Sequence, residues 1–159
     1  MSNKILKKWA LISEIIGGMA ILITLVLLLT ELQQNTAAIR VATYDDLVAD
    51  LADYNLTQIT DNELSEMRFE TRDSGNGLSS ISERHQYMLN RATLVRFQHY
   101  ERAYIQWAAG YLDESQWERF RFYLCSLSGD PLFEEQVGST IDRATSAEFT
   151  QYRRTQCGE

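Results

Sequence analysis

Residues 15–30, IIGGMAILITLVLLLT, pass without one charged side chain, and no other feature of this sequence limits its fold so strongly. In water such a run must be covered on every side, whereas hydrocarbon accepts it as a helix whose backbone bonds are all internal. Widened to residues 9–30, the segment contains a single ionisable group, Glu14. As an α-helix it is about 33 Å long, enough for a hydrocarbon layer of about 30 Å. The expectation is one transmembrane helix over 9–30, with the lipid bilayer as its first partner. A secretory leader is the competing reading, because lysines ahead of an apolar run suit one too. The run exceeds an ordinary leader core, however, and the nearest small pair, Ala37 and Ala38, comes well after it ends.

Charge fixes an orientation. Lys4, Lys7 and Lys8 precede the apolar run, while the other flank opens with Glu31 and has no cation before Arg40. Cations resist translocation, so residues 1–8 form a basic cytoplasmic flank and the rest of the chain is expected outside, in the periplasm of a bacterium with the helix in its inner membrane. From Glu31 onward twelve arginines face twenty-one acids, a net of −9, which argues against nucleic acid as a partner. In an oxidising compartment Cys125 and Cys157 could pair; two unpaired thiols, with Cys125 in a core, are the alternative.

Of the 159 residues only one is proline and eight are glycine, too few turn formers for a sandwich or barrel. The expected fold class is all-α. Neither Gly nor Pro occurs between Gly18 and Gly75, so the spanning helix is expected to continue as a rigid stalk, with Leu32, Ile39, Leu47, Leu51 and Tyr54 on one side. It should end between Asn55 and Thr60, and Thr60 or Asp61 should cap a short helix to about Arg72. Stalk and short helix thus occupy 31–72, and the helical domain 73–159. The turn-rich stretch 73–80, DSGNGLSS, is expected as a loop.

Ser80 with Glu83 then reads as a capping box for a long helix closing near Gly110. Along it Thr93, Phe97, Tyr100, Tyr104, Trp107 and Tyr111 recur at spacings of four and three, an aromatic stripe. Asp113 with Gln116 caps the next helix, whose Trp117, Phe120, Leu124 and Leu127 offer a matching seam, so an antiparallel hairpin is expected. Such a stripe beside such a seam is core rather than a ligand box. Asp130-Pro131 starts a further helix, and Thr145 with Glu148 a last short one ending near Arg154. Residues 41–70 hold eight acids against Arg68 alone, whereas helix 81–112 is net positive. Opposite charge could orient the two, with Asp45, Asp46 and Asp50 read as a solvated face.

No catalytic template fits. His85 and His99 lack a Glu three positions earlier and lie about 21 Å apart along a helix, too far to share one metal ion. Asp73-Ser74-Gly75-Asn76-Gly77 lacks the alternating oxygen ligands of a calcium loop. The sequence contains no Walker loop, dinucleotide fingerprint or nucleophile elbow. The expectation is therefore no catalytic residue, no metal and no cofactor. The candidate contact site lies in the membrane helix. Ala10, Glu14 and Gly18 share a face at four-residue spacing, and Ser13 with Gly17 is a small pair that lets a second helix approach a protonated Glu14.

Three segments, Ile12-Ser13-Glu14-Ile15-Ile16-Gly17-Gly18, Gln34-Asn35-Thr36 and Gly110-Tyr111-Leu112-Asp113-Glu114 with Trp117-Glu118, resemble a family of short bacterial proteins. Its members carry one N-terminal membrane helix, a Gln-Asn-Thr segment and a helical domain, and the family has no assigned activity. Relatives are often arginine-rich near the positions of Gln33 and Ala37, which would hold the domain in the cytoplasm; this chain has no arginine there. The leading functional expectation is a single-pass anchor presenting an all-α module for protein interaction or self-association at the membrane surface. One alternative is a membrane-tethered enzyme or small-ligand sensor with a pocket in the helical domain, using His85, His99 or tyrosine hydroxyls. Another is an accessory subunit of a larger membrane complex.

Overall fold

A computed structural model describes residues 3–73 and 77–158. All the secondary structure among them is helical: α1 (Asn3–Thr60), α2 (Asn62–Asp73), a 3-10 turn (Gly77–Ser80), α3 (Glu83–Ala108), α4 (Glu114–Ser128), α5 (Pro131–Ala144) and α6 (Ala147–Cys157). The chain divides into two units, residues 1–41 and 42–159.

The first unit is helix alone. From Lys7 to Val41 every residue is exposed, including all the large apolar side chains of the uncharged run. The apolar part of α1 is the one helix among the described residues long and apolar enough to cross a membrane, and none of its apolar window is buried. A Leu or Ile left in water forgoes about 1.5–3 kcal/mol of burial. This unit therefore has no core of its own.

The second unit is packed. Its main core joins Leu47 of α1 to Leu94, Phe97, Tyr100 and Ala103 of α3, to Trp117, Phe120 and Leu124 of α4, and to Phe133, Val137, Ile141 and Phe149 of α5 and α6. A smaller cluster ties Leu64 and Met67 of α2 to Leu89 of α3. Helix α3 contacts α2, α4 and α5, and α6 lies on α4. The packed unit begins at Ala42, ahead of the expected boundary at residue 73. Tyr44, Leu47 and Leu51, expected in a stalk, face its core, whereas Leu32 and Ile39 remain exposed. Arg102 of α3 holds that part of α1, bridging both Asp46 and Asp50, so these two acids are not a free solvated face. Asp45 is exposed.

The helix ends follow local chemistry. Helix α1 stops at Thr60, and the Asp61 carboxylate accepts the Leu64 amide at 3.1 Å, capping α2. Asp113 and Gln116 form the expected reciprocal capping box, and Asp130 caps α5 with Pro131 in its first turn. Gly110 takes φ +78°, the left-handed turn that lets the chain leave α3. Two starts differ from expectation. Ser82, not Ser80, caps α3, because Ser80 belongs to the 3-10 turn and bonds back to the Gly77 carbonyl. Ser146, not Thr145, caps α6, because the Thr145 hydroxyl is turned to the Ile141 carbonyl of α5. Helix α6 continues past Arg154 to Cys157. Of the expected loop at 73–80, residues 74–76 lie outside the described residues, and with them most of the calcium-loop comparison.

Candidate functional site

The residues expected to make a membrane contact all lie on α1. Ala10, Ser13, Glu14, Gly17 and Gly18 are exposed, and beyond the adjoining residues and backbone of α1 itself no described atom comes within 4 Å of where a Cβ on either glycine would stand. The Ser13 hydroxyl donates to the Ala10 carbonyl at 2.9 Å, so this face offers a second helix small residues and one carboxylate. Cys125 of α4 and Cys157 of α6 are joined in a disulfide, Cα–Cα 4.8 Å, that closes the C-terminal helices onto the core.

The two histidines are not brought together. His85 Nε2 lies 3.3 Å from Glu63 on α2, while the His99 ring, half-buried, sits 5.6 Å from that of Tyr54. No group of three or more His, Cys, Asp or Glu side chains gathers among the described residues. The aromatic stripe is core. Trp107 and Trp117 stack at 5.5 Å, Tyr104 touches both Trp117 and Phe149, and Trp117 Nε1 donates to the Tyr152 hydroxyl at 2.8 Å. Only Tyr111, at the end of the stripe, is exposed.

Two concave places among the described residues are walled by more than one helix. The first is an apolar groove of about 260 Å³ between α1 and α4, walled by Val48, Leu51, Ala52, Phe120 and Tyr123. Arg119 Nη1 donates to the Tyr44 hydroxyl at its edge, 3.0 Å away. Ile59 on α1 and Phe122 on α4 are 73% and 67% exposed.

The second is a cavity of about 160 Å³ in which α2, α3 and the start of α5 meet, and its polar lining is dominated by arginine. Arg68, Thr71 and Arg72 come from one side and Thr93 and Arg96 from the other, over an apolar floor of Leu89, Leu127 and Phe133. Helical spacing explains the convergence. Residues 68, 71 and 72 form one face of α2, and 89, 93 and 96 one face of α3.

At the rim the largely exposed Arg72 pairs with Asp130 at 3.3 Å, and the other oxygen of Asp130 accepts the Leu132 amide. Nε and Nη2 of Arg68 and Nε of Arg96 are closed off from water and have no hydrogen-bond partner among the described residues. Burial first, and then the charge of Arg96, hold the Arg68 guanidinium below its ordinary pKa. An arginine nonetheless stays charged at neutral pH. Arg96 lies over the Tyr54 ring, 5.3 Å from its centre, which offsets part of its burial. Arg153, more deeply buried than either, provides the contrast, since Asp142 stands 3.3 Å from its Nη2. Among the described residues no carboxylate bonds Arg68 or Arg96.

The chain matches no family model, no curated protein and no solved structure. Sequence reasoning missed the cavity because it takes Arg68 and Arg96 as countercharges to the acids around them, and nothing local marks two arginines on separate helices as neighbours. A faint signal exists. Arg68, Thr71 and Arg72 make a polar face on a helix whose opposite side is acidic.

Proposed function

We propose that the chain is a single-pass membrane anchor with its N-terminus in the bacterial cytoplasm and its helical domain in the periplasm, acting by association of that domain with a second copy of itself at the membrane surface. One observation carries the reading: α1 leaves its apolar side chains uncovered as far as Val41, yet contributes Leu47 to a packed core further along. A bilayer is the solvent that accepts the uncovered half, while the other half buries a core of its own in water. The outward orientation is supported by the lysines ahead of the span and by the Cys125–Cys157 bond, since cytosolic thiols stay reduced. Self-association is supported by the uncovered apolar row Val48, Ala52 and Ile59 on α1, beside the groove that α4 completes. Two copies in one bilayer meet in parallel, which brings these rows to the same height. Within the domain, α3 and α4 form an antiparallel hairpin in this reading, because Gly110 and the Asp113 cap leave a short connection.

The test has two parts. A reporter active only in the periplasm, fused after Glu159, should be active, and the detergent-solubilised full chain should have the mass of at least a dimer. A silent reporter contradicts the orientation, and a monomer mass contradicts the self-association. A second reading, a small-ligand sensor, is favoured by the arginine-lined cavity, a polar space inside the domain. It would use Arg68 and Arg96 rather than the histidines.

A further inference from the structure

We propose that two copies of the chain join about a two-fold axis along the bilayer normal, the α4 of each packing on the α1 of the other, so that Arg119 of one copy pairs with Asp45 of its partner. The inference rests on the self-association reading and adds the surface, the geometry and the charges that select a second copy.

Two adjacent strips of α1 lead to it. Val48, Ala52, Asn55 and Ile59 recur at spacings of four, three and four, and Asp45, Ala49, Ala52 and Leu56 do the same further round from the core. Every one of these residues is exposed, while Leu47 and Leu51 on the opposite side of the same turns face the domain core. Asp45 is the one charged residue among them.

The groove beside the first strip is walled by α4, whose Arg119 and Tyr123 lie four residues apart on one face. Arg119 donates to the Tyr44 hydroxyl, so its guanidinium stands at the height of Tyr44 along α1, one residue from Asp45. Rotation about the bilayer normal leaves heights unchanged. When the first strips of two copies meet, that rotation carries the partner's α4 round to the second strip. Its Arg119 arrives level with Asp45 and its Tyr123 beside Ala49 and Ala52, whose small side chains leave room for a ring. Two α1 and two α4 helices then form an intermolecular bundle, and because a two-fold contact is self-complementary the Arg119–Asp45 pair is made twice.

Charge favours this partner over an unrelated one. Asp45 makes no hydrogen bond or ion pair among the described residues, whereas its neighbours Asp46 and Asp50 are both held by Arg102. Arg119 has a tyrosine hydroxyl as its hydrogen-bond partner, and Asp113 feels its charge without forming an ion pair with it. An anion and a cation, each without a countercharge in contact, thus stand at one height on surfaces that a two-fold axis brings together. Confinement of both copies to one bilayer raises their effective concentration and helps the contact to form.

Sedimentation of the full chain in a mild detergent, over a range of protein-to-detergent ratios, tests the proposal through a charge exchange. Asp45→Arg and Arg119→Asp each set like charges against one another twice, and each variant alone should dimerise at least about tenfold more weakly than the unaltered chain. Mixed in equal amounts the two variants should recover, because both cross-copy pairs are again opposite in sign; a residue that mattered only for folding is not rescued by mixing. Asp45 has no partner among the described residues of its own chain, so Asp45→Arg should keep the unaltered urea midpoint. If Arg119→Asp does not fold, Arg119→Gln takes its place, and the mixture should then recover in part through the one remaining pair. The proposal is overturned if Asp45→Arg dimerises as tightly as the unaltered chain, or if the mixture stays as weak as its components. A dimer indifferent to these exchanges leaves self-association standing on another face, whereas an unaltered chain that is monomeric at every ratio removes that reading and this one together.

Discussion

The two units of this chain use the same kinds of apolar residue to opposite ends. From Lys7 to Val41 the leucines, isoleucines and valines of α1 are uncovered, and from Ala42 onward residues of the same types close around Phe97, Trp117 and Phe149. Composition separates the two, since residues 15–30 carry no charge, and so does arrangement. In α1 apolar residues occupy every face of the helix, which no single neighbour can cover, whereas in α3 and α4 they keep to one stripe that a neighbour can. Hydrophobicity on all sides asks for a solvent, and hydrophobicity on one side asks for a partner.

The contrast is most easily broken in the first unit. Replacing Leu22 and Leu25 by arginine puts two charges in the middle of the apolar run, at about 2.5–3.5 kcal/mol each for membrane insertion. The doubly substituted chain should move from the membrane fraction to the soluble one, followed by immunoblot, while its domain keeps a cooperative thermal transition. Loss of both properties together would mean that the two units do not depend on different solvents.

In the second unit the largest effect belongs to Trp117, fully buried and in ring contact with Tyr104, Trp107 and Tyr152. Trp117→Ala should cost about 3–5 kcal/mol in urea unfolding and leave membrane attachment unchanged. Next comes the disulfide, which closes a separation of 32 residues. Cys125→Ser with Cys157→Ser should cost about 3–4 kcal/mol, seen as a lower urea midpoint. An equal midpoint under reducing and oxidising conditions would show that the bond does not stabilise the domain.

The smallest effect sharpens the comparison by its pH dependence. Hydrogen bonds from Ser115 and then from the Gln116 amide hold the Asp113 carboxyl below its ordinary value of 3.8. A folded-state pKa below the unfolded one gives stability that is present above the unfolded value and lost as the pH falls through the folded one. The gap in midpoint between the unaltered chain and Asp113→Asn should therefore be constant near neutral pH and shrink below about pH 4. A gap that persists at pH 2 would assign the effect to the shape of the cap rather than to its charge.

Much of this arrangement is legible in the residues themselves, for reasons that differ from place to place. The apolar run needs no tertiary information, because its consequence depends on length and charge alone. The Asp113–Gln116 box and Asp130-Pro131 are equally local, each fixing its helix start within four residues. Ser82 is harder to read, since Ser79, Ser80 and Ser82 compete and only the 3-10 turn decides among them. Phe133, Val137 and Ile141 repeat every four residues and could have been read as a core face of α5, whereas Phe149 has no such pattern around it. The Arg68–Arg96 pairing is legible in no segment, because it exists only where two helices cross. The disulfide is intermediate: two cysteines permit a bond, and only the packing of α6 on α4 brings them together.

Alkaline carbonate washing of membranes from cells making the full chain tests the central claim most directly, because it strips proteins held by charge or by partners and leaves those held in hydrocarbon. The account predicts that the chain stays in the pellet and is released only by detergent. Its appearance in the carbonate supernatant would contradict the claim that the uncovered half of α1 lies in a bilayer.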